Sequence, residues 1–193
     1  MKKLFVIIDM VNGFVNEGAL ADKKINKITP KIVELTKSAI KNSIPIIAFK
    51  DTHTKNDEEF KVFPPHCIKG TLESELIPEL KVFEKDFISI EKNTTNGFIT
   101  KAFQKIVNNI AFEEVIIVGC CTDICVEQFA TNFQKFNKEN NRKTKLIVIE
   151  DAVYTFDTPN HNAESCHNDA INRMAKAGIT ILKTIEDLDE KAY

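Results

Sequence analysis

Short apolar runs recur along the chain, and each one ends at a charged residue or a glycine. Runs of this length, rich in β-branched residues, are typical of strands that are buried on both faces of a parallel sheet. They predict six strands, at residues 4–8, 44–49, 87–90, 115–118, 146–149 and 179–182.

Apolar residues at helical spacing fill segments between these runs. Four helices are predicted in this way, from the sets Ile32, Leu35, Ala39 and Ile40; Ile99, Phe103, Ile106 and Val107; Phe129, Phe133 and Phe136; and Ala170, Met174 and Ala177. Strands that alternate with helices predict an α/β fold, a three-layer α/β/α sandwich around a six-stranded, mainly parallel sheet. The 193 residues suffice for one domain, so a single domain is predicted over residues 1–193.

Charge and cysteine content narrow the functional classes. The formal net charge of −2 gives no long-range field that would attract nucleic acid or anionic lipid. The N-terminal apolar run stops at Asp9, far short of the roughly 18 residues that cross a bilayer. Five cysteines, an odd number, argue against a disulfide framework. We therefore expect a soluble cytoplasmic protein that binds a small molecule and neither nucleic acid nor membrane; self-association as a homo-oligomer stays open.

Chemically capable residues follow the predicted strands. Asp9 follows the first strand, Asp51 the second and Lys92 the third, and the turn at residues 119–125 follows the fourth. The carboxyl ends of parallel strands form the ligand crevice of an open α/β sheet. These residues are therefore predicted to meet at one edge of the sheet.

Cys125 is the predicted nucleophile. An apolar strand passes through Gly119 directly into a helical pattern, which places Cys125 in the first helical turn, with Thr122 or Asp123 as the cap. The positive end of the helix dipole should lower the pKa of the thiol, and backbone N–H groups of the turn could form an oxyanion hole. The alternative is that Cys125 is a small buried hydrophobic residue, as most free cysteines are.

Asp9 and Lys92 are predicted to complete the reaction centre. A thiol that attacks an amide needs a proton carrier and a nearby positive charge. Asp9 would take the proton of Cys125 and deliver it to the leaving ammonia, while Lys92 keeps Asp9 ionised. Taken singly, an Asp or a Lys at such a position is usually a surface residue or a helix cap.

A second cluster of candidate residues follows the second strand. Asp51 and His53, two apart in an extended segment, project to the same side, and two prolines stiffen the loop that could return His66 to them. Two imidazoles and a carboxylate suit one divalent metal ion, zinc first, with iron and manganese as alternatives. Glu59 in the same loop is a candidate fourth ligand or an outer partner of the ligands.

Together these motifs resemble the isochorismatase-like cysteine hydrolases, and within them the nicotinamidases. The matching segments span nearly the whole chain and are FVIIDMVNGF, KDTH, FPPH, EKN and VGCCTDICV. The resemblance implies a metal ion that binds the pyridine nitrogen of the substrate. For the site it implies the catalytic triad Asp9, Lys92 and Cys125 and the metal ligands Asp51, His53, His66 and, as in some members, Glu59.

The resemblance extends to the substrate ring and to the turn that carries the thiol. It implies that Phe14 and Phe63 sandwich the ring; the alternative is that they are ordinary core residues. It also implies a cis peptide at Cys120–Cys121, so that the N–H groups of Cys121 and Cys125 form the oxyanion hole. Cys121 departs from the small apolar residue that is common in the family. It either packs, or oxidises with Cys125 and silences the enzyme.

Three functions are compatible with these motifs. The first is hydrolysis of nicotinamide to nicotinate and ammonia through a thioester on Cys125, which would feed pyridine nucleotide (NAD) salvage. The second keeps the triad and acts on another small amide, a carbamoyl compound or isochorismate, although the isochorismate branch typically lacks the metal histidines. The third is a non-catalytic binding module, against which the intact triad argues. We predict the first.

Overall fold

Six strands form one sheet in the computed structural model, which describes residues 2–188. Their bounds are Lys3–Ile8 (β1), Ile46–Asp51 (β2), Phe87–Lys92 (β3), Glu114–Cys120 (β4), Lys145–Tyr154 (β5) and Thr180–Leu182 (β6). All six predicted strands are confirmed, and β2, β3, β4 and β5 continue past their predicted ends. Residues 1 and 189–193 of the predicted domain lie outside the described part of the chain.

Six α-helices occur among the described residues. They are Asn12–Val15 (α1), Thr29–Lys41 (α2), Pro78–Lys81 (α3), Lys101–Asn109 (α4), Glu127–Glu139 (α5) and Ala163–Lys176 (α6). The four predicted helices correspond to α2, α4, α5 and α6. Ile99 lies outside α4, because the Thr100 hydroxyl accepts a hydrogen bond from the N–H of Phe103 and starts the helix there. Within residues 2–188, no helix has the length and apolar composition that a membrane span requires.

The strand order explains where a crevice forms. It is β3-β2-β1-β4-β5-β6, and every neighbouring pair is parallel. The chain therefore builds the sheet from β1 outward to one edge through β2 and β3, and to the other edge through β4, β5 and β6. The order reverses between β1 and β4, and in such sheets the crevice opens at the carboxyl ends of those strands.

The side chains of the central strands alternate between two hydrophobic cores. In β1, Phe5 and Ile7 belong to one core and Val6 belongs to the other. Ile32 of α2 packs in the first core, whereas α4, α5 and α6 contribute to the second, for example through Phe129. Helices on both faces of the sheet confirm the three-layer α/β/α sandwich.

The turn after β4 depends on a glycine. Gly119 has a φ of +116°, and a Cβ at this position would lie 2.0 Å from the carbonyl oxygen of Ile8 in β1. Glycine therefore allows β1 and β4 to approach each other at the switch in strand order. The peptide bond between Cys120 and Cys121, just after this glycine, is cis, as the resemblance implies.

Candidate active site

Three charged side chains lie buried together at the carboxyl ends of β1, β2 and β3. Asp9 follows β1, and Asp51 and Lys92 are the paired last residues of β2 and β3. The side chains of Asp9 and Lys92 are 0% exposed, and that of Asp51 is 2% exposed. The Lys92 ammonium forms an ion pair with Asp9 Oδ2 at 2.8 Å and donates a hydrogen bond to Asp51 Oδ1 at 2.9 Å. One buried cation thus joins two buried carboxyl groups.

Burial and Lys92 shift the carboxyl pKa values in opposite directions. Burial raises the pKa of Asp9 to about 6, although the Lys92 ammonium opposes the shift. Burial also acts to raise the pKa of Asp51, but Lys92 and hydrogen bonds from His53 and His66 outweigh it and hold that pKa below its ordinary value. The cluster therefore places a carboxyl that exchanges a proton near neutral pH beside one that stays ionised.

Cys125 approaches the same cation from β4. It lies in one turn of π-helix, Thr122–Val126, that leads into α5, and its Sγ is 3.9 Å from Lys92 Nζ. Burial raises the pKa of the Cys125 thiol by more than Lys92 lowers it. The expectation that the helix terminus lowers this pKa is therefore wrong: Cys125 is only 6% exposed, and loss of hydration disfavours the thiolate.

Neither Thr122 nor Asp123 caps the helix, contrary to prediction. Cys121 occupies the capping position, and no side chain makes a capping hydrogen bond. The Thr122 hydroxyl instead hydrogen-bonds with His167 Nδ1 at 3.0 Å, and the Asp123 carboxylate pairs with His161 Nε2 at 2.7 Å. These contacts join the turn that carries the thiol to α6 and to the segment before it. No motif or spacing in the sequence indicates them.

The three predicted metal ligands also lie close together. The ligand atoms of Asp51, His53 and His66 all lie within 4.8 Å of one another, and all three residues are buried. Nε2 of His53 is 3.0 Å, and Nε2 of His66 3.1 Å, from Asp51 Oδ2. Backbone pairing explains this, because the N–H of His53 donates to the carbonyl of Cys67 and the N–H of Lys69 donates to the carbonyl of His53. The loop thereby returns His66 to the end of β2.

Both imidazoles are oriented through their second nitrogen. Nδ1 of His66 donates to the carbonyl of Pro64 at 2.8 Å, and Nδ1 of His53 donates to Asp57 Oδ2 at 3.0 Å, since both partners are acceptors. Each Nε2 faces Asp51 Oδ2, and in the tautomer with the proton on Nδ1 the two Nε2 lone pairs and this carboxylate oxygen fit one divalent ion. Glu59 lies at the margin, with Oε1 3.9 Å from His66 Nε2.

One cavity adjoins both clusters. Its volume is about 470 Å³, and its lining includes Cys121, Cys125, Asp51, His66, Phe14 and Phe63. The ring centroid of His66 is 5.7 Å from that of Phe14 and 6.3 Å from that of Phe63. Phe14 also belongs to the first hydrophobic core, so its core and cavity interpretations hold together. Phe60, which no motif singled out, lies 5.0 Å from the ring of His53.

Comparison with known proteins identifies the family. Residues 3–186 match the model described as the Isochorismatase domain. The chain belongs to this family. Among curated relatives, Nicotinamidase 1 of Arabidopsis thaliana is 33% identical over 82% of this chain and 72% of that protein.

Solved structures agree with this family assignment. The nicotinamidase PncA of Bacillus subtilis superposes with a TM-score of 0.80 at 26% identity, over 95% of this chain and 100% of that one. A pyrazinamidase of Pyrococcus horikoshii in complex with zinc has the same fold, with a TM-score of 0.78 at 24% identity over 95% and 99% of the two chains. The chain is thus a nicotinamidase-like hydrolase of the isochorismatase family, as its motifs predict. Family membership does not fix the substrate.

Proposed function

We propose that this enzyme hydrolyses nicotinamide to nicotinate and ammonia through a thioester on Cys125. The position of Lys92 carries the proposal: its ammonium lies 2.8 Å from Asp9, 2.9 Å from Asp51 and 3.9 Å from the Cys125 sulfur. One cation therefore connects a nucleophile and its base to a ligand cluster for a ring nitrogen. A small heteroaromatic amide fits this arrangement, because its amide carbon can be attacked by the nucleophile while its ring nitrogen faces the ligand cluster.

Acylation begins from the thiol, because burial raises the pKa of Cys125. Asp9, whose pKa burial raises to about 6, is still ionised at neutral pH and takes the thiol proton. The sulfur attacks the carboxamide carbon, and Asp9 then returns the proton to the amide nitrogen as the C–N bond breaks. The products of this half-reaction are ammonia and a nicotinoyl thioester on Cys125.

Deacylation uses the same groups in the reverse sense. Asp9 takes a proton from water as the water oxygen attacks the thioester carbon, and it returns that proton to the Cys125 sulfur as the C–S bond breaks. The product leaves as nicotinic acid and loses its remaining carboxyl proton to solvent to give nicotinate. In both half-reactions the N–H groups of Cys121 and Cys125 donate hydrogen bonds to the negatively charged carbonyl oxygen. Lys92 holds the Asp9 carboxylate in place beside the thiol.

Orientation of the ring is assigned to the second cluster. Asp51, His53 and His66 would hold one divalent ion, zinc before iron or manganese, with Glu59 as an outer or fourth ligand. When bound, the ion supplies a Lewis-acid contact for the pyridine nitrogen. Phe14 and Phe63 enclose the two faces of the ring. The zinc in the Pyrococcus horikoshii pyrazinamidase supports the choice of metal.

The relatives named nicotinamidase support the choice of substrate. Nicotinate from this reaction would return to pyridine nucleotides by salvage. We place the enzyme in the cytoplasm, acting on a small molecule without nucleic acid or membrane as a partner.

The proposal is tested by measuring ammonia release from nicotinamide by the purified protein supplied with zinc, iron or manganese. Wild type and Cys166→Ala, which alters a half-exposed thiol, should release ammonia at similar rates; Cys125→Ala should release none, and His53→Ala much less. No ammonia from wild type with any of these metals contradicts the proposed substrate. Full activity of Cys125→Ala contradicts the mechanism. Faster turnover of a carbamoyl compound or isochorismate, run in parallel, would reassign the substrate within the family.

A further inference from the structure

Asp57 occupies a capping position without capping its helix. It precedes the 3₁₀ turn Glu58–Lys61, yet its side chain accepts no hydrogen bond from that turn. Its carboxylate instead accepts hydrogen bonds from the N–H of Thr54 at 3.0 Å and from the side-chain amide of Asn93 at 3.3 Å. The same carboxylate oxygen lies 3.0 Å from His53 Nδ1. The carboxylate is therefore turned from its own helix toward the imidazole.

The ring of His53 lies between two carboxylates. Its side chain is 0% exposed, with Nε2 3.0 Å from Asp51 Oδ2 and Nδ1 3.0 Å from Asp57 Oδ2. A neutral imidazole carries one proton, and only the tautomer with the proton on Nδ1 leaves the Nε2 lone pair for a metal ion. Asp51 by itself attracts the proton to Nε2, the wrong nitrogen. The Asp57 carboxylate at Nδ1 opposes this effect, because it attracts the proton to Nδ1.

His66 shows that this requirement is specific to His53. The Nδ1 of His66 meets the carbonyl of Pro64, two residues earlier in the chain, at 2.8 Å. His66 is thus oriented by its own local backbone. His53 depends instead on a side chain four residues ahead, which Asn93 ties to the end of β3.

We propose that Asp57 is a positioning residue of the metal cluster, which fixes the tautomer and the ring orientation of His53. The inference rests on the proposed function only in that the cluster serves as a metal site. Removing a carboxylate that orients a ligating histidine lowers metal affinity by roughly 10- to 100-fold. We expect a loss of this size in Asp57→Ala.

The experiment measures zinc affinity of the metal-free protein by competition with a chromophoric chelator. Asp57→Ala should bind zinc about 10- to 100-fold more weakly than wild type, and Asp57→Asn should lie between them because its amide oxygen still accepts the Nδ1 proton. Glu58→Ala is the matched control, since it removes an adjacent carboxylate that is 85% exposed and pairs only with Lys61 among the described ion pairs. It should bind zinc like wild type.

Two further measurements separate positioning from a merely structural effect. The cobalt(II) absorption spectrum of Asp57→Asn should differ from that of wild type, while circular dichroism and thermal unfolding of the metal-free proteins should agree. If Asp57→Ala does not fold, Asp57→Asn decides by the same readouts. Wild-type zinc affinity in the folded Asp57 variants, or an equal loss in Glu58→Ala, overturns the inference. Because the readout is metal binding, an enzyme that fails to hydrolyse nicotinamide would refute the proposed function without affecting this result.

Discussion

The thiol half and the metal half of the site are held in place by different parts of the fold. Asp9 and Lys92 lie at or just beyond the ends of strands, and Cys125 lies in the π-helical turn between β4 and α5. His53 and His66 lie instead on the loop after β2, where two backbone hydrogen bonds and the contacts of their Nδ1 atoms set their positions. We therefore expect the thiol half to tolerate changes in the loop, whereas the metal half depends on a few local contacts.

Among the ion pairs of residues 2–188, those of Lys92 with Asp9 and Asp51 join the two halves. One oxygen of Asp51 accepts from Lys92, while the other faces both imidazoles. Changes confined to one half should therefore leave the other intact, and a change at Lys92 should affect both.

The largest effect is expected from Cys125→Ala, which removes the proposed nucleophile. Nicotinamide hydrolysis should fall by on the order of 10⁴-fold or more, as for nucleophiles of comparable enzymes. Zinc affinity, measured by chelator competition, should stay at the wild-type value because the sulfur is outside the ligand cluster. A parallel loss of zinc affinity would show that the two halves are not separable.

Replacing the connecting cation, in Lys92→Met, should damage both halves. It leaves two buried carboxyl groups without their shared counter-charge, which costs roughly 3–5 kcal/mol of unfolding free energy. Urea unfolding measures this, and the deficit should shrink as pH falls because protonation removes the repulsion between Asp9 and Asp51. Lys69→Met, which removes an exposed partner of Glu91, is the control and should unfold like wild type. Equal stability of the two variants would contradict the central role of Lys92.

Asp9 gives the thiol half a titrating group of its own. The pKa of Asp9 is raised from 3.8 to about 6, so its basic form is present above that pH and is lost as pH falls through it. The alkylation rate of Cys125 by iodoacetamide in metal-free protein should fall about tenfold per pH unit below about 6, since one proton is involved. Asp9→Asn should be slower and lack this inflection. An inflection that persists in Asp9→Asn assigns the base to another group.

The thiol half is the more predictable of the two from sequence. Apolar runs locate the strand ends, and the carboxyl ends of parallel strands meet at one edge, so Asp9, Asp51 and Lys92 could be grouped without a structure. The two ion pairs of Lys92 could not be predicted in this way, because they depend on the β2–β3 register that sets Asp51 opposite Lys92. The helix start indicates the wrong direction for the pKa shift of Cys125, because the sequence does not show how deeply the thiol is buried.

The metal half is predictable from sequence only in part. A D-x-H pair followed by F-P-P-H indicates ligands, and the structure brings those residues together. Asp57, by contrast, reads as one surface acid in an acidic stretch, and its contact with His53 depends on the conformation of the loop. The same holds for His161 and His167, whose partners in the turn that carries the thiol lie more than thirty residues earlier in the chain.

Thr122→Val should have the smallest effect and tests how firmly the thiol half is fixed. Valine keeps the shape of the buried side chain but leaves His167 Nδ1, also buried, without its partner, which costs about 1–3 kcal/mol of unfolding free energy. Thr131→Val is the matched control: the Thr131 hydroxyl donates only to carbonyls of its own helix, so its loss should cost less, by urea unfolding. Zinc affinity should not change in either variant, because the hydrogen bonds that orient His53 and His66 do not involve α6. A Thr122→Val protein that loses zinc affinity would show that the turn after β4 also supports the loop, and that the two halves are mechanically coupled.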